Sequence, residues 1–217
     1  MTDHLTVPVA RVADYEVRQI PHADGVAFIV EHHYSRSAAN TSTYAHGLFR
    51  DGELVGAVLW IPPTKTCACS VVRGTGIDWR GVLACSRLAV HPDEPLNAAS
   101  LLLGRSMRAI DRDKWAALVT YADTRLGHTG SIYRATNWIC FGETKAGDVW
   151  LGPDGEQRGR KRGPRTLLAS EMIEMGFVKA PPMPKIKFVH FIDKRARRFA
   201  QAKARGLEIR RMRKAAA

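Results

Sequence analysis

No stretch of about 18 apolar residues occurs in the 217-residue chain, so no membrane-spanning helix is expected. The first residues, MTDHLTVPVARVADYEV, lack the basic start and apolar core of a secretory signal, so a cytoplasmic protein is expected. Cysteine is scarce: Cys67, Cys69, Cys85 and Cys140 are the four. They read as reduced thiols of a cytosolic chain. Cys67 and Cys69 stand two apart on an expected strand or turn, which is not zinc-knuckle spacing. Internal repeats are absent. Acidic residues become scarce late in the chain. Residues 158–217 hold 18 Lys+Arg against 4 Asp+Glu, a net +14, whereas residues 1–157 hold 15 against 17, a net −2; together these give the +12 of the whole chain. A basic excess confined to one end suits a polyanion, most often nucleic acid, although a solvated basic tail has the same composition.

Length and a 45% apolar content fit one compact α/β domain with an appendage. A first strand is expected around Val7–Val17, then an apolar helix from Gly25 to His33 that ends in the loop HHYSRS. Two strands, Tyr44–Arg50 and Leu54–Ile61, flank Asp51-Gly52, a two-residue hairpin signal. VLACSRLAV (82–90) reads as a buried strand. A helix capped by Asn97 or Ser100 is expected to run to about Lys114. The segment 118–138, LVTYADTRLGHTGSIYRATNW, reads as a strand ending in Asp123, a polar turn, and a helix carrying Tyr133. Trp138–Trp150 reads as a bend and a strand, and 152–165 as a glycine-rich basic loop. Thr166–Met175 is a short helix closed by Gly176. KIKFVHFI (185–192) alternates as a strand, and the basic end forms a tail or helix over 194–217. The order implies an α/β (α+β) fold, a mixed sheet with helices on both sides.

Several residues in this pattern suit chemistry. His33 and Tyr34 pair an imidazole with a phenol, groups that move protons near neutral pH. Arg87, beside Ser86 in an apolar strand, either faces solvent or holds a carboxylate or phosphate. Asp123 and Tyr133 could serve as base and acid; Tyr133 could equally pack in the core. Exposed N–H groups near Asn97 and Ser100 could receive an anion, or simply open a helix. A metal site stays open, because His32, His33, His46 and His128 could converge only if the fold brings them together.

The strand, helix, strand, helix order from Val82 to Trp138 resembles the Gcn5-related N-acetyltransferase fold, with its mixed, mostly antiparallel sheet. HHYSRS (32–37), LACSRLAV (83–90), NAASLLLGRSMRAI (97–110) and TYADTRLGHTGSIYRATNW (120–138), with Gly142 after them, more specifically resemble the phage Mom family of DNA-modification proteins. That resemblance implies an acetyltransferase-like catalytic domain over 1–193 and a basic extension over 194–217. It implies transfer of a carbamoylmethyl (acetamido) group to adenine N6 in double-stranded DNA, which protects phage DNA from host restriction. The implied catalytic set is His33, Tyr34, Arg87, Asp123 and Tyr133, with Ser86, Asn97 and Ser100 toward the donor. Arg158, Arg160, Lys161, Arg162, Arg165, Lys194, Arg195, Arg197 and Arg198 would meet DNA phosphates. Tyr34, Tyr44, Trp60 or Trp138 would stack on an extruded base.

One departure stands out. Acetyltransferases carry Arg/Gln-x-x-Gly-x-Gly/Ala where this chain reads Glu94-Pro95-Leu96-Asn97-Ala98-Ala99-Ser100. Acetyl-CoA therefore stays open as donor without its usual loop, and the donor is unidentified. Two other readings stand beside this one: an ordinary acetyl-CoA-dependent N-acetyltransferase acting on a small-molecule or protein amine, and a non-catalytic DNA-binding protein with a degenerate fold. No feature requires a dimer.

Overall fold

The computed structural model describes residues 11–155, 157–162 and 165–215, with side chains except at 161, 162, 203 and 206–215. The chain runs β1 (Tyr15–Gln19), α1 (His22–His32), β2 (Tyr44–Arg50), β3 (Glu53–Ile61), α2 (Lys65–Val72), β4 (Val82–Val90), α3 (Ala98–Ala109), β5 (Ala117–Asp123) and α4 (Ser131–Ala135). It continues through β6 (Ile139–Glu143), β7 (Gly147–Leu151), β8 (Gln157–Arg158), β9 (Lys161–Arg162), β10 (Arg165–Thr166), α5 (Ala169–Glu174), β11 (Val178–Met183), β12 (Lys185–Phe191) and α6 (Lys194–Ala215).

The main sheet has the order β1-β2-β3-β4-β5-β12-β6. All its neighbours are antiparallel except β4 and β5, so the expected mixed, mostly antiparallel sheet is what forms. Asp51 and Gly52 both take positive φ, 52° and 84°, as a type I′ hairpin turn requires. A second sheet, β11-β7-β8, and the hairpin β9-β10 are built from the 147–183 region. No helix among the described residues is long and apolar enough to cross a membrane.

Period-two alternation sends side chains to two faces of the main sheet. On one face Leu83, Leu118 and Phe188 pack with Leu102, Leu103 and Met107 of α3. Opposite, Val82, Val119, Val189 and Phe191 pack with Ala68 and Val71 of α2 and with Ala196 and Ala200 of α6. Helix α1 covers Ala57 and Leu59 through Phe28 and Ile29. Ala196 and Ala200 are 3% and 1% exposed, so the basic helix begins as part of the core rather than as a free tail.

Several elements differ from the sequence expectation. The first strand lies at Tyr15–Gln19, after a 3-10 turn at Val12–Asp14; residues 7–10 lie outside the described residues. Cys67 and Cys69 sit on helix α2, because the Thr64 side chain caps its start by accepting from Cys67 N–H at 3.3 Å. Helix α3 stops at Ala109, since Ile110 is already extended, and neither Asn97 nor Ser100 caps it through a side chain. Helix α4 spans only Ser131–Ala135, with Gly130 in the left-handed region as its N-cap residue. Region 138–150 holds two strands, and the glycine-rich basic loop is folded into short strands.

Candidate active site

The site originates in a mismatch of strand partners. β4 pairs with β5 only over Val82–Ala84 and Ala117–Val119. Beyond those three pairs both strands continue, β4 to Val90 and β5 to Asp123, and they part. A cavity of about 750 Å³ fills the opening. Its walls include Cys85, Thr120 and Tyr133 from the α3 side, and Ala84, Val119 and Tyr121 from the α2 side. The cavity therefore lies between the parted strands and is lined from both faces of the sheet.

Tyr133 is carried into the opening by α4. Gly130, at φ 80°, sits so close to the Phe188 ring that a side chain there would collide with it. Only glycine meets both demands. The Tyr133 ring packs against Phe188 at 5.2 Å and Trp138 at 5.7 Å. Its phenol lies 3.4 Å from Thr120 Oγ1, which is also 3.1 Å from the Cys85 carbonyl oxygen. Thr120 has one hydroxyl proton, so it can donate to only one of these at a time. Burial raises the Tyr133 pKa above the normal tyrosine value and keeps the phenol protonated. Burial likewise pushes the neighbouring Cys85 thiol up to about 12, so this cysteine is no nucleophile at neutral pH.

The opposite wall comes from the end of α1. The His33 and Tyr34 rings meet at a 31° tilt with centroids 4.1 Å apart, and Tyr34 meets His128 edge-on at 5.5 Å. Burial lowers the His33 pKa to about 4, helped by the charges of Arg87, His128 and Lys185. Ser35 N–H donates to His33 Nδ1 at 3.1 Å. The neutral ring thus carries its proton on Nε2 and is a hydrogen-bond donor there. Arg87 is held by the backbone, with Nε donating to Ser37 O at 2.8 Å and Nη1 to Ser86 O at 2.7 Å.

Asp123 faces an adjoining cavity of about 680 Å³ that shares Tyr34, Ser86, Arg87 and Lys185 with the first. The carboxylate is 4% exposed. Its Oδ1 accepts from Arg125 N–H at 3.2 Å, and its Oδ2 lies 3.1 Å from Lys185 Nζ. Burial and the Asp123 charge both raise the Tyr34 pKa. One region therefore offers a buried carboxylate, a cation, a guanidinium, a neutral imidazole and two neutral phenols. These are parts suited to binding an amine, removing its proton and protonating a leaving group.

The Mom protein family model matches residues 14–206. The chain belongs to the Mom family. Methylcarbamoylase mom of Escherichia phage Mu is 27% identical over 181 residues, which span 76% of this chain and 70% of that protein. Among solved structures, a spermidine N-acetyltransferase mutant from Vibrio cholerae aligns at TM-score 0.50 and 10% identity, over 84% of this chain and 96% of its own. The Drosophila melanogaster polyamine N-acetyltransferase aligns at TM-score 0.47 and 12% identity, over 82% of this chain and 100% of its own. The Vibrio structure shows this Mom-family chain to have the acetyltransferase fold.

Not every residue singled out in the sequence meets at this site. His33, Tyr34, Ser86, Arg87 and Tyr133 line the central cavity, and Asp123 borders the adjoining one. Asn97 and Ser100 line a different cleft, and Ser100 Oγ donates to Asn97 O at 2.8 Å. His46 is 2% exposed and bonded to Ser106 at 2.8 Å in the core, apart from His33 and His128. Among the described residues no group of three His, Cys, Asp or Glu side chains converges as a metal site. Trp60 and Trp138 are core residues at 0% and 5% exposure, and Tyr44 stacks on His46. Of the aromatics named for base stacking, Tyr34 is the one lining the cavity.

The basic residues divide similarly. Arg158 pairs with Asp154 at 2.7 Å and borders the adjoining cavity. Arg160 Nε donates to Leu167 O at 2.8 Å, and Arg165 pairs with Glu171. Lys194, Arg195 and Arg198 are exposed on α6, while Arg197 is half-buried and donates to Asn137 O at 3.4 Å. The side chains of Lys161 and Arg162 lie outside the described residues. Sequence reasoning missed Thr120, Lys185 and the Tyr121–Cys67 contact, whose Oη and Sγ are 3.1 Å apart. The alternation of KIKFVHFI was the available signal for Lys185, but it carries no information about which strand β12 pairs with.

Proposed function

We propose that this chain is a transferase that places a carbamoylmethyl group on adenine N6 of double-stranded DNA, acting where phage DNA lies inside the host cell. The observation that carries the reading is the cavity between the parted strands, with a protonated Tyr133 on one side and the Asp123–Lys185 pair near the other. Membership of the Mom family and the named activity of the phage Mu relative support it. In this reading an extruded adenine enters from the α1 side and rests against Tyr34. Asp123 accepts a proton or hydrogen bond from its amino group. Arg87 and the His33 Nε2–H bind oxygen on the donor. The phenol of Tyr133 protonates the leaving group as the new N–C bond forms.

The decisive experiment is mass spectrometry of nucleosides from DNA recovered after expression. Wild type should yield carbamoylmethyladenine, and Asp123→Ala and Tyr133→Phe should strongly reduce it. An acetylated amine in place of modified adenine would identify an ordinary acetyltransferase. DNA retention without modified nucleosides would identify a binding protein.

A further inference from the structure

A second cleft, of about 530 Å³, shares no lining residue with the central cavity. It is bounded by α3, the end of α4, β12 and the start of α6. Four cations meet there, Arg108 and Arg112 from the end of α3 and the turn after it, and Lys194 and Arg197 from the first turn of α6. No acidic side chain lines it among the described residues. The neighbouring carboxylates are engaged with backbone: Asp111 Oδ1 accepts from Asp113 and Lys114 N–H at 2.9 and 3.3 Å, and Asp193 Oδ1 from Ala196 N–H at 2.6 Å.

Arg108, Arg112 and Lys194 are exposed at the rim of the cleft and Arg197 is half-buried. At Gly104 an added Cβ would stand 3.9 Å from Arg108 Nη1 and 3.7 Å from Thr136, so this guanidinium lies back along the helix beside α4. Arg197 is steadied by the Asn137 carbonyl. His190 stands between the two groups: its Nδ1 is buried and has no hydrogen-bond partner among the described residues. Burial lowers its pKa first, and Arg197 and Arg112 also lower it. Positive charge gathered beside a neutral imidazole, with no carboxylate among the described lining residues, suits an anion with several acceptor oxygens.

We infer that this cleft binds phosphate, with Arg108, Arg112, Lys194 and Arg197 as its donors. The phosphate has two chemically equivalent sources, the backbone of duplex DNA or a phosphate group on the group donor. Only the first rests on the DNA reading above.

The test uses the full chain and Arg108→Gln/Arg112→Gln, both exposed positions, with circular dichroism to verify the fold. Inorganic pyrophosphate is titrated by calorimetry, and a short duplex by fluorescence anisotropy across a salt series. Loss of pyrophosphate binding, with duplex affinity down about tenfold and the log K against log salt slope shallower by about 1 per arginine removed, supports the cleft and assigns it to DNA. Loss of pyrophosphate binding with duplex binding unchanged supports the cleft and assigns it to the donor. Pyrophosphate and duplex titrations identical to wild type overturn the inference. If the wild type binds no duplex at all, the DNA reading fails while the pyrophosphate titration still decides the cleft.

Discussion

Lys185 Nζ and Asp123 Oδ2 stand 3.1 Å apart, joining the start of β12 to the end of β5. The carboxylate is almost wholly buried and the ammonium is 45% exposed, so the pair is partly screened by water. Lys185→Met should cost about 1–2 kcal/mol, because it leaves a buried carboxylate without its cation. Lys185→Arg should restore most of that stability. Thermal melts of the three proteins measure this, and equal melting temperatures for wild type and Lys185→Met would rule out a structural role for the pair.

Tyr133→Phe removes the buried phenol and leaves the ring contacts with Phe188 and Trp138. Adenine modification should fall by about 10²- to 10⁴-fold, the usual value of a positioned proton donor. The melting temperature should barely move. A large drop in stability with residual activity in proportion would make Tyr133 a packing residue.

Acid should weaken the fold through His33. Its pKa is about 4 when folded, against 6.5 for the free side chain, so between these values the unfolded chain binds more protons. Stability rises with pH wherever that holds. The contribution is complete above about pH 6.5 and is lost as pH falls toward 4. His46 and His190 are shifted in the same direction. Denaturant unfolding at pH 7 and pH 5 should show a smaller difference for His33→Gln than for wild type; identical differences would refute the assignment.

Gly130→Ala would place a methyl group against the Phe188 ring at a backbone angle that L residues avoid. The expected cost is about 2 kcal/mol or more. Because the residue directly precedes α4, activity should fall with Tyr133 displaced. Chemical denaturation and the nucleoside assay check both effects.

Much of this was readable in the sequence where the signal is local. Asp51-Gly52 needs only its own φ angles to turn the hairpin. Asp123 ends β5, Tyr34 follows the end of α1, and Arg87 and Tyr133 lie within β4 and α4, elements whose periodicity places them. Lys185 was not readable as a partner for Asp123, since register between strands more than sixty residues apart is set by packing. The start of α2 was missed because Cys67-Ala68-Cys69 suits strand or helix, and the Thr64 cap decides between them. Glu94 shows a third kind of limit. In the sequence it looks like a charge at the donor loop, yet it is 8% exposed and bonded to Tyr15 Oη at 2.5 Å and Arg50 at 3.0 Å. Its role is to anchor that loop to β1 and β2.

The placement of β12 between β5 and β6 has a consequence for how the protein is made. During synthesis β5 leaves the ribosome with one edge bare, and β6 has no partner in the main sheet until β12 emerges. The same event delivers Lys185 to Asp123 and the Phe188 ring to the underside of Gly130. Assembly of the pocket thus waits for β12, and a nascent chain stopped before that strand would lack the pocket and be exposed to aggregation through its open sheet edge.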